Sequence, residues 1–205
     1  MFITFEGIEG SGKSTQRKRL LGWLDAQNIS YMSTREPGGT GVGLVFRDLL
    51  LSNGSTIVSN RSELFLFAAD RCEHLEQVIR PALARGEWVI CDRYVDSTYA
   101  YQFGGRGHLE IDVLDIIRLT DAIEPDLTFL LDMSPEEGLR RAKARADLDR
   151  FENETLAFHH RVREAYLQRA NNHSHRFCVI PSDGRSMDDI FNVIVAKIKE
   201  MNWHE

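Results

Sequence analysis

Cysteine is scarce in this chain: Cys72, Cys91 and Cys178 are the only three in 205 residues, and they lack the spacing of a metal site. That excludes a disulfide scaffold and a cysteine-built zinc cage, and it fits reduced thiols in a cytoplasmic protein. Long hydrophobic runs are missing as well. No apolar stretch approaches the roughly 20 residues needed to cross a bilayer, and no secretory leader precedes the first apolar run. The expectation is a soluble, cytoplasmic protein with no membrane partner. Positive charge is in deficit, with 25 Lys and Arg against 31 Asp and Glu and a formal net charge of -6. A general nucleic-acid binder would favour a basic surface, so nucleic acid is not an expected partner. A small anionic ligand needs only a local cluster of cations. Repeats, low-complexity tracts and linkers are absent, so residues 1–205 read as a single domain with room for a substantial core.

What the chain does have is alternation. Short apolar or β-branched runs at Phe2–Glu6, Ser30–Thr34, Trp88–Cys91, Leu127–Asp132 and Phe177–Pro181 read as strands buried on both faces. Helical stretches fall between them: Ser14–Gln27, Ser62–Arg85, Ile111–Ala122, a helix opened by Pro135 behind Ser134, and Glu154–Asn171. Met187, Ile190, Ile194, Ile198 and Met201 then form one stripe of a final helix. Such an order predicts an α/β doubly wound domain with a parallel sheet and right-handed crossovers, with ligands beyond the carboxyl ends of the strands. Trp23, Trp88 and Trp203 read as packing residues, and His159-His160 and His173-x-His175 as polar surface rather than a metal site.

The unusual residues follow the strands. Gly7-Ile8-Glu9-Gly10-Ser11-Gly12-Lys13-Ser14-Thr15 fits G-x-x-x-x-G-K-[ST] between a strand and a helix, the context that gives the match its force. Gly7, Gly10 and Gly12 free the backbone to turn its N–H groups, with that of Ser11, toward an anion. Lys13 reaches β- and γ-phosphates, Ser14 can ligate Mg²⁺, and Thr15 follows in a helix whose positive end faces the phosphates. A chance glycine turn is the competing account. Arg35-Glu36-Pro37-Gly38-Gly39-Thr40 is first a turn, yet Arg35 stands on the phosphate side. Asp92 ends the third strand, where an acid organises Mg²⁺, and Arg93 offers a planar fork for phosphate; an Asp92–Arg93 surface pair is the alternative. Phe67 and Arg71, four apart on one helix, can stack on a base and bond its edge, although helical aromatics usually serve the core. Residues 140–150 carry five basic side chains in eleven, suiting either a solvated helix face or a lid spanning about 140–151.

Together these segments resemble the bacterial thymidylate kinases, in the family's order and spacing from Phe2 to about Tyr166. The motifs that carry the resemblance are the phosphate loop, Arg-Glu-Pro-Gly-Gly-Thr, Phe-Ala-Ala-Asp-Arg, Asp-Arg-Tyr and an arginine-rich stretch ending in Asp-Arg-Phe-Glu. The resemblance implies ATP-dependent, Mg²⁺-dependent phosphorylation of dTMP to dTDP on a five-stranded P-loop nucleoside-monophosphate-kinase fold, usually homodimeric. It implies that Lys13 and the loop amides hold ATP, that Glu9 faces the deoxyribose and that Phe67 and Arg71 read thymine. Arg93, with Arg35, would grip the dTMP phosphate near Pro37. Ser97 and Thr98 would contact the base, and Tyr101 would crowd the sugar 2′ position. Some members carry a loop arginine where this chain has Gly10, so a lid arginine is expected instead, Arg150 first and Arg145 second. Another small kinase of the same fold is the runner-up. A GTPase-like switch would carry Asn-Lys-x-Asp, which is absent.

Overall fold

All five expected strands form, each within a residue of its predicted bounds: β1 (Phe2–Glu6), β2 (Tyr31–Arg35), β3 (Trp88–Asp92), β4 (Leu127–Asp132) and β5 (Phe177–Pro181). The computed structural model describes residues 1–53, 58–145 and 149–201. The Arg145 side chain, Leu148 and Trp203 lie outside the described residues. The strands make one parallel sheet in the order β2-β3-β1-β4-β5. Ile3 pairs with Ile90 on one side and with Leu127 on the other, so β1 lies at the centre.

The alternation of side chains along β1 builds two cores. Ile3 and Phe5 point to one face, where they meet Leu20 and Leu24 of α1 (Lys13–Ala26) and Ile190, Ile194 and Ile198 of α9 (Met187–Glu200). Phe2 points to the other face, into a cluster with Leu75, Tyr99, Val113, Phe158 and Tyr166. That second cluster is supplied by α3 (Asn60–His74) with its continuation α4 (Arg80–Ala84), and by α5 (Val95–Thr98), α6 (Glu110–Leu119) and α8 (Leu156–Asn172). Burial on both faces is why the strands read as near-continuous apolar runs.

Three features depart from the sequence reading. A helix α2 (Gly41–Leu51) follows the proline–glycine turn, capped by Thr40, whose side chain accepts from the Gly43 N–H. The long helix at 60–84 is interrupted by a π-helical turn at Leu75–Ile79, and a second π-helical stretch runs over Tyr99–Gly105. His159 is 1% exposed, so it belongs to the interior and not to the surface. The helix opened by Pro135 forms as expected, as α7 (Pro135–Arg145).

Candidate active site

The chain leaves β1 at Glu6, turns through residues 7–12 and enters α1 at Lys13. Gly12 at φ 98 precedes α1 with no side-chain cap, which leaves first-turn N–H groups open to an anion. Gly10, at φ 72, lies under α7, and a Cβ there would meet the Gly138 carbonyl oxygen at 2.1 Å. No side chain, an arginine least of all, fits at position 10 unless α7 moves. Lys13 folds back over the loop, its Nζ donating to the carbonyls of Gly7 at 2.8 Å and Ile8 at 2.7 Å. Burial, and then Arg93 nearby, push its pKa down to about 8. A cleft of about 390 Å³ opens above the loop, lined also by Arg47, Asp92, Arg93, Arg141 and Arg185.

A second, smaller hollow adjoins it. Pro37, Phe67, Ser97, Thr98, Tyr101 and Phe151 form its walls. Glu9 accepts from Arg93 Nη2 at 2.5 Å and from the Tyr101 hydroxyl at 2.6 Å. Burial works against the Glu9 charge, but Arg93 and then Lys13 overcome it and hold the carboxyl below its ordinary range. The Arg93 guanidinium lies 5.1 Å above the Tyr101 ring. Glu9, Arg47, Arg93 and Asp149 line both hollows, so a strip of charge marks where they meet.

Arg71 does not line the hollow. It is buried behind it, with Nε and Nη2 donating to Glu36 Oε2 at 3.1 and 2.8 Å and Nη2 also to Thr98 Oγ1 at 2.7 Å. Its Nη1 is buried with no hydrogen-bond partner. His74 completes the pairing of Glu36, with Nδ1 2.9 Å from Oε1. A buried carboxylate held by two such neighbours locks the segment that carries Pro37.

Two expected arginines lie elsewhere. Arg35 is exposed and lines neither hollow; it borders a third, more open one with Leu44, Asp48 and Ser52, which shares Arg47 and Leu51 with the smaller hollow. Arg150 donates from Nε to the Leu50 carbonyl at 2.8 Å and from Nη2 to Glu63 at 2.5 Å, turned from the phosphate loop toward α2 and α3. Arg47 and Arg141 occupy the cleft in their place. The sequence held one signal for Arg47: a lone cation in an apolar run that begins at a threonine cap. Phe151 was legible only as part of Asp-Arg-Phe-Glu; its ring centroid sits 6.1 Å from Phe67 and 5.6 Å from Tyr101. Ser14 and Asp92 both reach the larger cleft, and hydroxyl and carboxylate oxygens are the hard donors that Mg²⁺ takes alongside phosphate oxygens.

Comparison with known proteins agrees with this geometry. The family model for thymidylate kinase matches residues 5–194. The chain is 47% identical over 212 residues to a thymidylate kinase of Oleidesulfovibrio alaskensis, covering 98% of each. It is also 47% identical over 204 residues to one of Carboxydothermus hydrogenoformans, again covering 98% of each. Among solved structures, thymidylate kinase from Ehrlichia chaffeensis superposes with a TM-score of 0.76 at 33% identity, over 97% of this chain and 98% of that one.

Proposed function

The chain belongs to the thymidylate kinase family and phosphorylates dTMP with ATP as donor, and from that premise we propose how its residues divide the work. The donor phosphates lie on the loop amides of residues 7–15 and on Lys13, and the acceptor phosphate on Arg93 and Arg47. Thymine stacks on Phe67 beside Pro37, with Thr98, Ser97 and the free Nη1 of Arg71 at its edge. Glu9 and Tyr101 border the sugar. Ser14 and Asp92 would hold Mg²⁺, which when bound neutralises charge on the donor phosphates.

The observation that carries this reading is the strip shared by the two hollows, where Arg47 and Arg93 stand. Two phosphorylated molecules seated in those hollows meet end to end across these cations. An acceptor phosphate oxygen then attacks the γ-phosphorus as the bond to the ADP oxygen breaks. The acceptor is already an anion, so no general base is required, and catalysis reduces to alignment and charge neutralisation. Arg141 takes the transition-state role expected of a lid arginine, in place of Arg150. Residues 140–151 act as the lid. The turn at residues 149–152 is closed by Asp149 and Glu152, each accepting the other's backbone N–H at 2.9 Å, a reciprocal cap.

We further propose a single-domain, cytoplasmic homodimer. Three free thiols support the compartment, and no helix among the described residues is long and apolar enough to cross a membrane. Exposed Val45 on α2, Phe65 on α3 and Ile111 on α6 support a subunit contact. The deciding experiment is a coupled ADP-release assay over a panel of nucleoside monophosphates. dTMP should give the highest kcat/KM; ATP binding without dTMP-stimulated ADP release refutes the assignment.

A further inference from the structure

Glu6 is fully buried, one residue before the phosphate loop, and lines neither hollow. Burying a carboxyl is costly, so its presence at the end of a core strand calls for a reason. Every contact it makes leads to Arg93. Its Oε1 accepts the N–H of Tyr94 at 2.7 Å. Its Oε2 accepts the hydroxyls of Ser97 at 2.6 Å and Tyr166 at 3.0 Å. Those hydroxyls are 2.6 Å apart, and Arg93 Nη1 donates to them at 3.2 and 3.1 Å and to the Gly7 carbonyl at 3.0 Å.

Two consequences follow for Arg93. Its backbone has φ 67, in the left-handed region that disfavours a residue carrying a Cβ. The Glu6–Tyr94 bond anchors the peptide immediately after that turn and holds the conformation in place. The side chain is fixed as well. With Nη1 engaged by Gly7, Ser97 and Tyr166, and one Nη2 proton by Glu9, the remaining donors are Nε and the second Nη2 proton. That pair is the side-on fork whose geometry matches two phosphate oxygens.

We propose that Glu6 and Tyr166 are positioning residues for Arg93, acting through the hydroxyl pair to aim its free fork at the acceptor phosphate. The inference rests on the reading that Arg93 binds that phosphate, and the test separates the two. Affinities for dTMP and for thymidine, which lacks the phosphate, are measured by calorimetry for the parent protein and for Tyr166→Phe, Glu6→Gln and Arg93→Gln. Tyr166→Phe removes one oxygen, so it carries the test even if Glu6→Gln does not fold. Tyr166→Phe should weaken dTMP about tenfold, the worth of a hydrogen bond to a charged group, and leave thymidine unchanged. Arg93→Gln should show the same selectivity with a larger loss, and adding Tyr166→Phe to it should cost nothing more. If Arg93→Gln weakens dTMP selectively while Tyr166→Phe does not, the positioning role is wrong and the reading of Arg93 stands. If Tyr166→Phe weakens both ligands alike, the tyrosine is merely structural and the proposal falls. If Arg93→Gln spares dTMP, or weakens thymidine equally, the phosphate reading falls and the proposal with it.

Discussion

Phe67 and Phe151 line the smaller hollow together, their ring centroids 6.1 Å apart and their planes tilted by 53°. On the proposed seating of thymine, removing Phe67 takes away a stacking partner worth about 1–3 kcal/mol. Phe67→Ala should therefore raise the dTMP KM by roughly ten- to a hundredfold and leave the ATP KM unchanged, which steady-state kinetics will read. Arg141 and Arg150 separate in the same assay. Arg141 lines the larger cleft and Arg150 stands on Glu63, so on the proposed reading Arg141→Ala should lower kcat more than either KM, by about a hundredfold or more. Arg150→Ala should instead lower thermal stability by loosening the turn at 149–154. The reverse pattern would restore Arg150 to the phosphates. Asp70 makes a prediction about pH. Burial, and then Glu36, raise its pKa from 3.8 to about 6, and its Oδ2 has no partner while Oδ1 accepts the Gly38 N–H at 3.0 Å. The folded chain thus holds this proton more tightly than the unfolded chain. The Asp70 contribution to stability declines as pH climbs from 3.8 to about 6 and stays at its floor above. Asp70→Asn keeps the Oδ1 acceptor without the buried charge. It should raise the melting temperature at pH 7.5, with the gain shrinking toward pH 4.

At the scale of elements, the phosphate loop and the first turn of α7 pack as one body. Gly10 and Gly138 bring their backbones into contact, and a Cβ on Gly138 would meet the Glu9 carbonyl oxygen at 2.5 Å. Gly138→Val should push the loop out of register and cut kcat/KM for ATP by about a hundredfold, with far-UV circular dichroism unchanged. Near-normal turnover would mean that loop and helix move independently. α2 went unread because its opening, Pro37-Gly38-Gly39, reads as a turn and its eleven residues are almost uniformly apolar. Periodicity cannot distinguish such a run from a buried strand. The π-helical stretch at Tyr99–Gly105 had no signal either, yet Tyr101 lies within it, its hydroxyl bonded to Glu9. Strands fared better, because a parallel strand covered on both faces is apolar along its whole length.

For the whole molecule, the apolar side chains left outside are informative. Val45 at 64%, Phe65 at 52% and Ile111 at 62% exposure lie on α2, α3 and α6, and the proposed subunit contact would cover them. Val45→Glu should convert a two-chain mass in light scattering to a one-chain mass, with the fold retained by circular dichroism. An unchanged mass would remove this face as the subunit contact. By itself the sequence determined the parallel sheet, the phosphate loop and the family. Each is a local matter: a glycine turn, a cap or an apolar run acts on its own backbone within a few residues. Only the tertiary structure decided which arginines reach the cleft. Arg47 and Arg93 meet there across 46 positions of chain, and Arg150 is drawn to Glu63 across 87. No window of sequence encodes such pairings, because they depend on which helix faces cover which strand ends. The same holds for Glu6, an ordinary acidic residue until folding buries it beneath Arg93.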